Sequence, residues 1–368
     1  MKITHVIGSL ATGGAENLVV NLCLNARKRG HDSRIVTLEG TQGVPYHQAT
    51  KNGLSVSVIG RSRFDPRILR RLHHYTKDAD IVHVHLFPAL YWSKYLRPPK
   101  VYTEHNTHNR RMGRRGFRLL ERWAYKSYKT IVAISEGVAS RAERHLSDIK
   151  CSVPVEVILN GIGDNFYGDG DGDGDGDGDR QQAPFLQLLF IGSLNERKNP
   201  KLALQVMRFL PGMTLDIAGE GPMRAELERE VKSLGLQDRV RLLGEVDEIS
   251  DLIREKDIFL STSVFEGFGL VAAEAQASGM PVIGPNVSGL SEVVVHGVTG
   301  FLFDTRNPAE IASHVLAASE PTAYSRLSSA AAVNAKRFKI SVCSDAHIEM
   351  YERLLQSRPL LSERIDGS

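Results

Sequence analysis

The stretch Ser263-Val-Phe-Glu266-Gly-Phe-Gly269-Leu-Val-Ala-Ala-Glu274-Ala sets two carboxylates around a glycine turn. Glu266 stands just before a segment of small apolar residues, Leu270–Ala277, and Glu274 lies within it. The segment reads as a helix entered from a strand over Ile258–Ser261. A carboxylate among Val, Ala and Phe is costly to bury unless it accepts hydrogen bonds. Sugar and ribose hydroxyls are natural donors to it. The free backbone N–H groups around Gly267, Phe268, Gly269 and Leu270 can bind negatively charged oxygens at the helix start. Two glutamates that only cap and decorate a helix are the alternative.

Two other junctions have the same strand-loop-helix form. Gly192-Ser193-Leu-Asn-Glu-Arg197-Lys198-Asn-Pro200 puts two cations where a diphosphate would lie at the carboxyl edge of a sheet. Two solvated cations before a helix would look the same. Gly8-Ser-Leu-Ala-Thr-Gly13-Gly14-Ala-Glu16 offers close backbone approach and a helix N-terminus suited to an anion, or else simple packing. Its spacing is neither G-x-G-x-x-G nor G-x-x-x-x-G-K-[ST], which argues against a dinucleotide fingerprint and a P-loop.

Alternating Val/Ile-rich runs and amphipathic stretches must position these loops, a pattern of βαβ units and parallel sheets. Strands are predicted at Ile3–Ile7, Arg34–Leu38, Ser55–Ile59, Ile81–Val84, Val101–Thr103, Thr130–Ile134 and Val155–Leu159. In the second half they fall at Leu188–Ile191, Thr214–Ala218, Val240–Leu243, Ile258–Ser261, Pro281–Ile283 and Gly300–Phe303. Helical patterns such as Ala15–Lys28, Pro222–Leu234 and Pro308–Ala318 lie between them. Each half closes its own open sheet, and ligands of such sheets sit at the carboxyl ends of strands. The halves are joined by a Gly-Asp repeat, Gly168 to Asp179, read as a flexible linker. It opens like an EF-hand loop, but the twelfth position holds Arg180, Gln182 or Pro184 instead of an acid.

A chain of 368 residues, 42% hydrophobic and 24% charged, suits two soluble α/β domains. No apolar run reaches the roughly 18–20 residues of a membrane span, and the N-terminus reads as a buried strand instead of a signal peptide. Cys23, Cys151 and Cys343 have no paired spacing, which suggests neither a disulfide framework nor a zinc site. A cytoplasmic location is expected. The net charge of +3 hides an asymmetry: residues 1–150 hold 26 Lys and Arg against 11 Asp and Glu, and the remainder holds 20 against 32. The basic half should face something anionic. Arg110, Arg111, Arg114, Arg115, Arg118, Arg122, Lys126 and Lys129 are interleaved with Phe117, Leu119, Leu120, Trp123 and Tyr128. This is either a solvated helix packing its apolar side on its own sheet or a dock for anionic lipid on the inner membrane face. Arg61, Arg63, Arg67, Arg70 and Arg71 extend the basic character. No nucleic-acid module accompanies the charge. His83 and His85 alternate on a strand, and His105 and His108 lie three apart. Such pairs can ligate a metal, but no cysteine or carboxylate cluster completes a site.

Together, the E-x₇-E loop, Lys198 in its G-x-L-x-x-x-K setting and Gly13-Gly14-Ala15-Glu16 resemble the family-4 retaining glycosyltransferases of GT-B fold (glycosyl transferases group 1). Asp80-Ile-Val-His83-Val-His85, Thr103-Glu-His105-Asn106, Asn160-Gly161, Ala218-Gly-Glu-Gly-Pro222, Gly279-Met-Pro-Val-Ile and Gly289-Leu-Ser-Glu292 followed by Gly297-Val-Thr-Gly-Phe-Leu match as well. The resemblance runs from about residue 3 to 356.

The resemblance implies an α/β fold of two Rossmann-like domains facing across a cleft. An acceptor-binding domain is expected over 1–165, the linker over 166–184 and a nucleotide-sugar-binding domain over 185–340. Residues 341–368 are expected to form a helix crossing back to the first domain, with a tail. By the same resemblance Glu274 binds the donor ribose, Glu266 contacts the transferred sugar and Lys198 neutralises the diphosphate with amides near Gly269. His105 sits beside the sugar and the Gly13-Gly14 loop approaches the diphosphate. Ser193 departs from the family's usual arginine, and Arg197 is the nearest replacement for its charge. The expected activity is retaining, metal-independent hexosyl transfer from a nucleotide sugar to a saccharide or lipid-linked acceptor in surface polysaccharide or glycolipid synthesis. UDP is favoured as the commonest donor nucleotide, and the donor is a substrate, so no cofactor is expected. A nucleotide-sugar epimerase and a non-catalytic sugar-nucleotide or glycan-binding protein are the alternatives.

Overall fold

The computed structural model describes residues 1–105, 115–168 and 186–357. His108, residues 109–114 and the glycine-aspartate repeat beyond Gly168 lie outside them. The chain forms two compact units, one made of Met1–Ile134, Val138–Gly161 and the chain from Ile340, the other of Ser135–Gly137 and Ile162–Lys339.

The first unit holds seven parallel strands: β1 (Lys2–Ile7), β2 (Asp32–Thr37), β3 (Val56–Val58), β4 (Ile81–His85), β5 (Lys100–Glu104), β6 (Thr130–Ala133) and β7 (Val155–Val157). Their order is β3-β2-β1-β4-β5-β6-β7. The central strands are buried on both faces, their polar residues His5, His83, His85 and Thr103 included. The helix Ile340–Gln356 belongs to this unit: Ile340, Cys343, Met350 and Tyr351 pack with Ile3, Leu18, Leu22, Val101 and Val132.

The second unit has six parallel strands: β8 (Gln187–Ile191), β9 (Thr214–Ala218), β10 (Val240–Gly244), β11 (Ile258–Leu260), β12 (Val282–Pro285) and β13 (Gly300–Phe303), in the order β10-β9-β8-β11-β12-β13. Its core joins Leu188, Phe190, Leu215, Ile217, Ile258 and Leu260 of the strands to Leu204, Met207, Ile311 and Val315 of covering helices. On β9 a buried charge is fully partnered. Asp216 accepts from Arg241 Nε and Nη2 at 2.7 and 2.6 Å, and Lys256 Nζ, itself buried, lies 2.9 Å from it. All thirteen predicted strands form, their ends displaced by at most two residues.

In each sheet the winding reverses once, between β1 and β4 and between β8 and β11. The loops leaving the carboxyl ends at such a reversal cannot close over one another, so a crevice is left there for a ligand.

Candidate functional site

Both loops at the second reversal carry the residues singled out above. After β8 the chain runs from Gly192 through Arg197 and Lys198 into the helix Pro200–Met207, and after β11 it runs through Ser263 and Glu266 into the helix Leu270–Ala277. They meet side chain to side chain. Lys198 Nζ donates to Glu266 Oε1 at 2.5 Å, Ser263 Oγ donates to the same oxygen at 2.6 Å, and Arg197 Nη1 stands 4.0 Å from Oε2. The backbone ties the loops too, Val264 N–H donating to the Arg197 carbonyl at 2.8 Å.

Two glycines make this possible. The stem of Lys198 passes over Gly192, where a Cβ would lie 3.1 Å from Lys198 Cε. Gly289, at φ 86°, presses on the turn, and a Cβ there would sit 2.8 Å from the carbonyl oxygens of both Glu266 and Gly267. The Gly289-Leu-Ser-Glu292 match is thereby explained as the floor of the Glu266 loop.

The two glutamates are held in opposite electrostatic states. Burial would raise Glu266, but the adjacent Lys198 charge, the bonds from Lys198 and Ser263 and the Arg197 charge prevail and keep it below the ordinary carboxylate range. Glu274 is raised from 4.5 to about 7, because burial outweighs the more distant attraction of Lys198. The pair therefore offers one firm carboxylate next to a cation and one carboxyl poised to titrate near neutrality. N–H groups in the first turn of Leu270–Ala277 have no partner within their helix, and Glu274 sits one turn further along. Phe268 is buried edge-on to Phe338 at 5.4 Å and anchors the turn. Ser193 and Arg197 are exposed on the β8 loop.

In the first unit, Gly13 and Gly14 follow β1 and open the helix Gly14–Lys28. The Glu16 carboxylate folds back onto Gly13, burial raising its pKa. His105 ends the run from β5 and belongs to a buried imidazole cluster. His105 Nε2 is 3.2 Å from His85 Nδ1, and His85 Nε2 is 3.1 Å from His5 Nδ1. His83 is braced by hydroxyls at 2.5 Å on both nitrogens, Tyr351 at Nδ1 and Thr103 at Nε2. Among the described residues, His5, His83 and His85 form the one group with metal-site composition and spacing, their nitrogens within 4.8 Å of one another. Those same nitrogens already serve one another and the hydroxyls. Burial, reinforced by neighbouring imidazoles, holds His5 and His105 at about 3 and His83 and His85 well below the ordinary value.

Sequence reasoning missed Ser263 as the second donor to Glu266, and it missed His5 altogether. The signal for His5 was a polar residue inside the apolar strand KITHVI, in register with His83.

A profile of group 1 glycosyl transferases matches residues 181–333, and one of glycosyltransferase family 4 matches residues 12–166. The chain belongs to the family-4, group 1 glycosyltransferases. It is similar to N-acetyl-alpha-D-glucosaminyl L-malate synthase of Bacillus anthracis, 38% identical over 100 residues, which is 27% of this chain and 26% of the relative. The chain thus matches about a quarter of that enzyme's length. A longer match is GDP-mannose:cellobiosyl-diphosphopolyprenol alpha-mannosyltransferase of Komagataeibacter xylinus, 26% identical over 84% of this chain and 81% of the relative. The fold is that of Anabaena HepE, solved with UDP and glucose, at a TM-score of 0.82 and 21% identity over 96% of this chain and all of that one. The GT-B architecture of two Rossmann-like units is therefore established. Among the described residues no helix is long and apolar enough to cross a membrane.

Proposed function

We propose that the chain is a retaining, metal-independent glycosyltransferase that moves a hexosyl group from a UDP-sugar to a saccharide or lipid-linked acceptor. The observation that carries this reading is the Lys198–Glu266 pair with Glu274 beyond it, all at the reversal of the second sheet. Glu274 receives the ribose hydroxyls, whose donation favours its ionised form. Lys198, with Arg197, Ser193 and the Gly267–Leu270 amides, stabilises charge developing on the departing diphosphate. Glu266 accepts from hydroxyls of the transferred sugar, and its low pKa keeps it an acceptor. His105 is assigned to the same sugar as a neutral imidazole, and the Gly13-Gly14 loop to the diphosphate. Departure of the nucleoside diphosphate leaves oxocarbenium character on the anomeric carbon. The acceptor then attacks on the same face, and a leaving-group phosphate oxygen takes its proton.

UDP is favoured because the HepE fold relative was solved with UDP and glucose. A polyprenyl-diphosphate-linked acceptor, in surface polysaccharide or glycolipid synthesis, is favoured by the mannosyltransferase relative, whose acceptor is a diphosphopolyprenol. The basic half supports a peripheral place on the inner membrane face. Helix Arg118–Tyr125 buries Glu121, Ala124 and Tyr125 and leaves Leu119 79%, Leu120 41% and Trp123 38% exposed beside Arg118 and Lys126. Ala124 and Tyr125 pack on the sheet's core, while Leu119, Leu120 and Trp123 stay outside it, and Tyr95 at 61% exposure extends that patch through its contact with Trp123.

Thermal-shift screening against UDP-, GDP- and ADP-sugars tests the donor, since a ligand raises apparent stability only where it binds the folded state. No stabilisation by any of the three would sink the donor assignment. Sedimentation with anionic and with neutral liposomes tests the surface; equal binding to both would remove it.

A further inference from the structure

We propose that His5 and His85 are positioning residues that lock His105 into one shared tautomeric sense with themselves. The use of this for transfer rests on the assignment of His105 to the sugar made above. The three rings form a chain: His105 Nε2 meets His85 Nδ1 at 3.2 Å, and His85 Nε2 meets His5 Nδ1 at 3.1 Å. A neutral imidazole donates at one nitrogen and accepts at the other. Only two arrangements satisfy both contacts. Either all three rings are protonated on Nε2, each donating from His105 toward His5, and His105 keeps a lone pair at Nδ1. Or all three are protonated on Nδ1, the direction reverses, and His105 presents an N–H at Nδ1.

A mixed set would press two N–H groups, or two lone pairs, against each other in a buried site. That loses a hydrogen bond and leaves buried polar atoms unmatched. Ionisation offers no escape, because burial and the neighbouring imidazoles keep every ring neutral through the physiological range. Rotation is restrained as well. His83, fixed by Tyr351 and Thr103, lies 4.1 Å from His85 and 5.3 Å from His5 between ring centroids. His347 Nδ1 donates to the Cys343 carbonyl at 2.8 Å, so that ring is fixed too. The donor or acceptor character that His105 offers a sugar hydroxyl is thereby coupled to a ring two steps away, on β1.

Full-length protein labelled with ¹⁵N-histidine tests this, because pyrrole-type and pyridine-type nitrogens resonate apart and single His→Gln variants assign them. The expected result is one shared sense for His5, His85 and His105. In His5→Phe, which keeps the ring shape and removes both nitrogens, His85 loses its contact with β1 and the tautomer balance of His105 should change. Opposite senses in the wild type, or an unchanged His105 in folded His5→Phe, would overturn the proposal. So would a stoichiometric metal ion in the purified protein, which would replace the shared protons. If His5→Phe fails to fold, the wild-type spectrum still decides. Unimpaired turnover by His105→Ala would refute the sugar assignment while leaving the spectral result to stand on its own.

Discussion

Replacing Glu274 by glutamine separates two demands on one side chain. In the empty protein the carboxylate is a burden: burial raises its pKa from 4.5 to about 7. A carboxyl whose folded-state pKa lies above its unfolded value contributes most when both states are protonated, and that contribution is lost as pH rises through the folded value. A shift from 4.5 to about 7 corresponds to a ceiling of about 3 kcal/mol at pH 8. Glu274 is only partly buried, so solvent screening reduces this to about 2 kcal/mol. Glutamine keeps the shape and removes the charge. The variant should be about 2 kcal/mol more stable at pH 8, an increase in Tm of roughly 4–8 °C for a unit of this size, and should gain under about 1 kcal/mol at pH 5.

The same change should weaken UDP binding, because a ribose hydroxyl donating to an ionised carboxylate makes the stronger bond. Scanning calorimetry at the two pH values and titration calorimetry with UDP read the two effects on one sample. Equal stability of variant and wild type at pH 8 would refute the buried-charge argument. Undiminished UDP affinity would refute the ribose assignment even if the variant were stabilised.

Lys198→Ala should lower kcat by about 10²–10³-fold, the usual loss when one preorganised donor to a developing anion is removed, with a far-UV spectrum like the wild type's. UDP affinity in the wild type should fall about tenfold from pH 8 to pH 6, as the ionised fraction of Glu274 drops from about nine-tenths to about one-tenth; titration calorimetry over that range would show a flat profile if Glu274 takes no part. Asp216→Ala takes the carboxylate partner from the buried Lys256, leaving it the Gln187 amide oxygen at 2.8 Å, and denaturant unfolding should show that unit destabilised by about 3–5 kcal/mol. Below its unfolding transition this variant should bind UDP as the wild type does, since Asp216 sits within β9, opposite Leu189, and not on the Lys198–Glu266 loops.

The strands were legible because burial on both faces leaves short apolar runs separated by polar and glycine-rich stretches, and thirteen of these became β1–β13. Their spatial order is a different matter, since parallel strands pair through crossovers of many residues. The glutamates were legible because a charge in an apolar stretch demands a partner. The pattern did not name that partner: Ser263 is three residues away, yet a serine after a strand has many uses. Helix Arg118–Tyr125 shows the limit of composition. Its leucines and tryptophan left both an inward and an outward face open; in the structure Glu121 turns in, 2.9 Å from His145, and the leucines face out. Eight residues hold little more than two turns, and over that length one buried polar contact together with Ala124 and Tyr125 in the core fixes which side is inside.

His5 was open to the same reasoning as Glu274. A histidine inside KITHVI is a buried polar group that requires partners, and a parallel neighbour offering His83 and His85 two residues apart is a natural source of them. What hid it is sequence distance: residues 5, 83, 85, 105 and 347 come together only because β1 lies between β2 and β4, β5 follows β4, and the helix from Ile340 packs in the same unit. A buried polar residue in a central strand is therefore worth treating as one end of an unseen hydrogen bond. Here, following that bond from β1 through His85 leads to His105, the imidazole assigned to the sugar.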